Sequence, residues 1–271
     1  MSATDTTSSV TRKPLDLYIA GRRLEAAWWG PFPDTAPTLV LLHEGLGCVD
    51  LWRDFPDRLA TATGCGVLVY SRLGYGRSDP CPVPRPLTYM HDEALEVLPA
   101  LLATARIRNC VLIGHSDGGS IALAYAGGTE APPLRGVVTL AAHVFCEELS
   151  VRSIAAAKQA YEDDGLRDRL ARFHGSNVDC AFWGWNGAWL DPAFMQWNLE
   201  EYLPGIQVPV LAIQGKDDEY GTEAQADAIV AGAGAKSLLL ENCGHSPQRD
   251  REQATIEAVA GFVREVLADG N

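Results

Sequence analysis

The chain has 271 residues, 47% of them hydrophobic, which is enough for one large core and a small inserted domain. A formal net charge of −13 argues against nucleic acid and against anionic membrane surfaces as partners. The seven cysteines (Cys48, Cys65, Cys81, Cys110, Cys146, Cys180, Cys243) are odd in number and scattered, with neither a C-x-x-C pair nor metal-ligand spacing, so they read as reduced thiols of a cytoplasmic protein.

Residues 1–14 are polar and rich in Ser and Thr, with no apolar stretch of the kind a secretory signal needs; a disordered leader is expected there. No apolar run approaches the length of a membrane span. Leu15 to Ala20 and Leu24 to Trp29 read as a hairpin around Gly21-Arg22-Arg23. Continuous apolar runs, the mark of strands buried on both faces, occur at 38–42, 66–70, 110–113, 136–140, 208–213 and 237–240. Helical patterns lie between them: Leu51 to Ala60, and Asp92 to Ala103 with Pro99 interrupting it. Ile256, Val259, Ala260, Val263 and Leu267 share one helical face. Alternation of this kind predicts an α/β fold, doubly wound on a mostly parallel sheet, with ligands at the carboxyl ends of the strands.

One segment breaks the alternation. From Cys146 to Leu203 no strand run is present; Ser150 to Asp164 and Gly165 to His174 look helical, and an aromatic stretch follows with Phe182, Trp183, Trp185, Trp189, Phe194 and Trp197. The expected division is a core of 15–145 with 204–271, and a small helical cap of 146–203 over the strand ends. At least two of the rings are expected to face a substrate cavity, with Trp183, Trp185, Trp189 and Trp197 as candidates.

Chemistry concentrates at Gly114-His115-Ser116-Asp117-Gly118-Gly119, between the apolar run Cys110–Ile113 and a helical stretch from Ile121. Glycines two before and two after a serine let strand and helix approach closely, and the turn can hold the hydroxyl off the end of the sheet. Such a nucleophile requires an acid after a later strand and a histidine after the strand following that. Gln214-Gly215-Lys216-Asp217-Asp218-Glu219 supplies three acids, and Cys243-Gly244-His245 supplies the histidine. The other five histidines precede the acid and fail the required order.

With these pieces in hand the chain resembles the α/β-hydrolase superfamily, in its lipase, esterase and C–C hydrolase branch. The resemblance runs from His43-Glu44-Gly45-Leu46-Gly47 through Tyr70-Ser71-Arg72-Leu73-Gly74-Tyr75-Gly76-Arg77-Ser78 and the serine turn to Gly215-Lys216-Asp217-Asp218 and Gly244-His245. It implies an eight-stranded sheet and selects Asp218, the third residue after the glycine, with Asp217 in reserve. Ser116 would be the nucleophile, His245 the base and then the acid, and Asp218 the group that fixes the histidine's tautomer. An oxyanion needs two fixed N–H donors. One should come from the residue after the nucleophile, Asp117, and by resemblance the other comes from Gly45, with Glu44 as its alternative.

Glu44 departs from the family, which more often has glycine after that histidine. Two roles suggest themselves: an ion pair to Arg72 from the neighbouring strand, or recognition of a cationic or hydroxylated substrate. His43 and His143 join Glu44 and the indoles as candidate pocket residues. The side chains of His115 and Asp117 are expected to point away from the reacting atom. The expected reaction is cleavage of a carboxylic ester or thioester of a small, partly apolar or aromatic molecule. C–C bond hydrolysis, acyl transfer and, in a different class, non-catalytic binding are the alternatives. The chemistry calls for no cofactor and no metal; a homodimer is compatible with the sequence.

Overall fold

In the computed structural model, which describes residues 10–130 and 134–268, the apolar runs become strands and their extents come from hydrogen bonding. The strands are β1 (Lys13–Ile19), β2 (Arg22–Trp29), β3 (Thr38–Leu42), β4 (Gly66–Tyr70), β5 (Cys110–His115), β6 (Leu134–Leu140), β7 (Val210–Gly215) and β8 (Lys236–Leu240). They form one sheet in the order β1-β2-β4-β3-β5-β6-β7-β8. β1 pairs antiparallel with β2, and β2 antiparallel with β4; every later pairing is parallel. β1 opens at Lys13, so Lys13 and Pro14 belong to the sheet rather than to the expected leader. Residues 1–9 of that leader lie outside the described residues.

Side chains alternate across the sheet and build a core on each face. On one face Val40, Leu42, Leu68 and Leu112 meet Leu98, Leu101, Ile121 and Tyr125. On the other, Leu39, Leu41, Val67, Val69 and Ile113 meet Phe55, Leu59, Val259 and Val263. The helices that supply these residues are α1 (Phe55–Thr63), α3 (Leu98–Thr104), α4 (Asp117–Gly128) and α10 (Glu252–Ala268); α2 (Tyr89–Asp92), α8 (Glu223–Ala233) and α9 (Pro247–Asp250) pack beside them. Two helical expectations shift. Leu51 to Ala60 divides at Arg53, whose φ of 53° ends a 3₁₀ segment (Val49–Trp52) before α1 begins. The stretch around Pro99 does not break: a π-helical turn, Glu93–Val97, joins α2 to α3. Widening the turn just ahead of Pro99 accommodates a residue that has no N–H to donate and whose ring crowds the preceding turn.

The insertion is helical: α5 (Glu148–Asp163), α6 (Leu166–His174) and α7 (Val178–Trp189), followed by 3₁₀ segments Pro192–Gln196 and Glu200–Gly205. The aromatic stretch is therefore mostly one helix, α7. On it Phe182, Trp185 and Trp189 fall at i, i+3 and i+7, one buried face, while Trp183 points elsewhere. The expected division at 203/204 falls inside the segment Glu200–Gly205, which packs on α4: a Cβ on Gly127 would overlap the Tyr202 carbonyl.

Candidate active site

All the candidate catalytic residues lie on loops that leave the carboxyl ends of parallel strands. Ser116 follows β5 directly and opens α4. Its φ of 52° and ψ of −119° are a conformation that non-glycine residues adopt only under tertiary constraint. The flanking glycines make it attainable, since a Cβ on Gly114 would overlap the Gly118 carbonyl, and one on Gly118 would overlap the Leu42 carbonyl. Ser116 N–H donates to Leu140 O of β6 (2.9 Å), anchoring the turn.

From this turn the Ser116 hydroxyl meets His245 Nε2 at 2.9 Å, and His245 Nδ1 meets both carboxylate oxygens of Asp218 at 2.9 Å. The two loops that meet here are fixed by short-range bonds. Asp218 Oδ1 accepts the N–H groups of Tyr220 (2.8 Å) and Gly221 (3.2 Å), and Oδ2 accepts from the Gln214 amide (2.7 Å). Burial alone would raise the Asp218 carboxyl; the bond to His245 and that from the Tyr220 N–H outweigh it and hold the group below its ordinary value. Gly215 sits where the His245 loop crosses, its missing Cβ leaving room for the Cys243 and Gly244 carbonyls. Of the neighbouring acids, Glu219 accepts the His245 backbone N–H (3.2 Å), and Asp217 donates its own N–H to Cys243 O (2.9 Å).

A cavity of about 110 Å³ opens above Ser116. Glu44, Gly45, Leu46 and His143 line it from the sheet side, Ile154, Trp185 and Trp189 from the insertion, and His115, Tyr220, His245 and Ser246 beside the serine. Trp185 lies directly on Gly45, where any Cβ would overlap the indole. Neither the Gly45 N–H nor the Asp117 N–H has a protein acceptor among the described residues.

Of the expected pocket residues, Glu44, His143, Trp185 and Trp189 line the cavity, and three do not. His43 is buried beneath the loop, accepting the Arg72 N–H at Nε2 (3.1 Å) and bonding the Glu44 carbonyl through Nδ1 (2.7 Å). Trp183 packs edge-on against Tyr161 and Phe182, and Trp197 stacks on Phe194 (5.2 Å between centroids). His115, expected to point away, is on the cavity wall, its ring 5.3 Å from that of His245. Asp117 does turn away: its carboxylate is fully buried and accepts the Tyr89 hydroxyl (2.6 Å).

The proposed ion pair between the Glu44 carboxylate and Arg72 is not formed; each side chain faces another partner. Glu44 Oε2 lies 3.4 Å from His115 Nδ1, and Arg72 Nη2 lies 3.7 Å from Asp117 Oδ2. Arg72 does reach Glu44, but at its backbone carbonyl (3.1 Å). Burial opposes the charge on Glu44, yet its contact with His115 prevails, so the carboxyl stays well below its usual range. His143, 5.6 Å from His245 between ring centroids, is pushed down to about 3, first by burial and then by the charge of His245; it is a neutral ring in the cavity wall.

A profile of the alpha/beta hydrolase family matches residues 39–258, and the chain belongs to that family. A proline iminopeptidase from Lactobacillus crispatus (strain ST1) is 26% identical to it over 259 residues, covering 81% of this chain and 87% of the relative. The enol-lactonase from Burkholderia xenovorans LB400 superimposes with a TM-score of 0.72 at 21% identity, over 92% of this chain and all of that one. An esterase from Exiguobacterium antarcticum gives 0.74 at 18% identity, over 93% of this chain and all of that one. Among the described residues, no helix is long and apolar enough to cross a membrane.

Proposed function

We propose that the protein is a serine hydrolase that cleaves a carboxylic ester or thioester of a small, partly apolar or aromatic substrate. The observation that carries the reading is the unbroken line Asp218–His245–Ser116, each link 2.9 Å, ending at a strained serine on a cavity wall. In the proposed cycle His245 takes the hydroxyl proton as Ser116 attacks the carbonyl and returns it to the leaving alcohol or thiol; it then deprotonates a water that attacks the acyl-enzyme, and gives that proton back to the Ser116 oxygen as the carboxylic acid leaves. Asp218, bound to Nδ1, keeps Nε2 free to accept and stabilises the imidazolium as it forms. The N–H groups of Gly45 and Asp117 receive the oxyanion. Trp185, Trp189, Ile154 and Leu46 offer apolar walls, and the open volume suits a short acyl group or one small ring.

A second reading, removal of an N-terminal residue from a peptide, is favoured by one observation: a charged carboxylate, Glu44, on a cavity wall that also carries two indoles, a combination that suits an ammonium group. The relative from Lactobacillus crispatus, a proline iminopeptidase by name, points the same way.

The test runs p-nitrophenyl esters of increasing acyl length beside aminoacyl p-nitroanilides, on the wild type, Ser116→Ala and Glu44→Gln. Ester turnover that vanishes in Ser116→Ala and survives in Glu44→Gln supports the first reading. Preference for the anilides, with a KM that rises at least tenfold in Glu44→Gln, supports the second. A wild type that turns over neither and resists a fluorophosphonate probe refutes both.

A further inference from the structure

Arg72 is almost fully buried; its guanidinium rests on Tyr75, 5.0 Å from the ring centroid, and its other close polar partners belong to the two loops that present the proposed oxyanion donors. Nη1 donates to the His43 carbonyl, and Nη2 donates to the Glu44 carbonyl (3.1 Å). The Glu44 carbonyl and the Gly45 N–H are two ends of one rigid peptide plane, so whatever fixes the first aims the second. His43 adds to the grip. Because the Arg72 backbone N–H occupies Nε2, the ring proton sits on Nδ1 and is donated to the same Glu44 oxygen (2.7 Å). Burial, and then the Arg72 charge, keep that ring well below its ordinary pKa and hence neutral. With the Gly47 N–H (3.0 Å) the Glu44 carbonyl accepts three donors, which polarise the amide and strengthen its N–H as a donor.

The same Nη2 lies 3.7 Å from Asp117 Oδ2, on the residue whose N–H is the other donor. Asp117 is held from a second side by the Tyr89 hydroxyl (2.6 Å), which accepts from Trp189 Nε1 (3.0 Å), an indole of the cavity wall. One guanidinium thus ties the β3 loop to the start of α4, with the cavity between them. Its planar fork can do so because it offers several donors in fixed directions; a lysine ammonium could satisfy one side only.

We infer that Arg72 is a positioning residue that sets the spacing and aim of the two oxyanion-hole N–H groups, Gly45 and Asp117. This rests on the serine-hydrolase reading, because an oxyanion hole has no task without acyl transfer. Arg72 touches neither substrate nor reacting atoms; its effect passes through the two backbone amides.

The test compares wild type, Arg72→Lys, and the double variant Arg72→Met with Asp117→Asn, which removes the buried pair without stranding a charge. Turnover of the best ester is measured per active site titrated with fluorophosphonate, so misfolded protein does not count. A lost oxyanion donor lowers kcat by about 10²–10³-fold. A donor still present but badly aimed should lower it about 10- to 100-fold in the double variant, with KM within about threefold, and less in Arg72→Lys. Affinity for a trifluoromethyl ketone, to which Ser116 adds to give an oxyanion, should fall by the same factor as kcat. A purely structural role would lower the melting temperature and leave turnover per titrated site and ketone affinity unchanged, and that result overturns the inference. Should the double variant not fold, unchanged kcat and ketone affinity in Arg72→Lys overturns it equally. Absence of Ser116-dependent turnover in the wild type overturns the hydrolase reading itself, and is recognised without any Arg72 variant.

Discussion

Gly45→Ala probes the site with a single methyl group. A Cβ at Gly45 would stand 2.9 Å from Trp185 Cε2, with Cδ1 and Nε1 nearer still. Carbon atoms in contact prefer about 3.5–4.0 Å, so loop and indole must part by about 1 Å. Trp185 is held on α7 by its packing with Phe182, 6.1 Å between ring centroids, and its residue is only 6% exposed, so it cannot swing into solvent without loss. Overpacking of this kind costs about 1–3 kcal/mol, which for a chain of this length is a fall of about 2–4 °C in melting temperature per kcal/mol. The loop that moves carries one of the two proposed oxyanion donors, and a displacement of about 1 Å at a catalytic group costs about 100-fold in rate. Calorimetry and steady-state kinetics on a short-chain ester measure both effects. Trp185→Ala, combined with Gly45→Ala, should recover part of the lost kcat by making room for the methyl. A Gly45→Ala variant with the melting temperature and kcat of the wild type would show that the insertion does not rest on the oxyanion loop, and would refute the reasoning.

Asp218→Asn should lower kcat on the order of 10⁴-fold while KM stays near its wild-type value, since the amide would leave His245 with the wrong tautomer; a loss below tenfold would mean that another acid serves. His143 is neutral in the fold, with its pKa lowered from 6.5 to about 3, so between those limits the unfolded chain binds the proton and the folded one does not. Stability should therefore rise with pH across that window, with a slope of at most about 1.4 kcal/mol per pH unit from this group. His143→Gln should flatten the acid limb of urea-midpoint profiles, and an identical slope in wild type and variant would refute the buried neutral ring.

Much of the site was legible because its signals are local. A serine between glycines two residues away on each side, after an apolar run and before a helix, has few conformations open to it, and the backbone at Ser116 adopts the strained one. Strand order pointed to His245 and to the three acids 217–219, because successive parallel strands deliver their carboxyl ends to one edge of the sheet, and the family resemblance chose Asp218 among them. The side-chain partners were not legible in the same way. Arg72 was expected at the Glu44 carboxylate on the sound ground that β3 and β4 are neighbours, but the guanidinium is buried under the loop, where backbone carbonyls and Asp117 are within reach. The carboxylate, on the cavity side, found His115 instead. One signal was available and passed over: reading 178–189 as a helix puts Trp185 and Trp189 on one face and Trp183 on another, which is how the cavity wall divides them.

Order along the chain, apolar periodicity and the glycines of one turn determined the sheet, the strained serine and which residues could stand in line with it, because backbone sterics and strand succession act between near neighbours. Which indoles border the cavity, where His115 turns, and what a buried arginine holds were decided only when the insertion settled on the sheet, because those contacts depend on the direction and depth of packing between segments far apart in sequence.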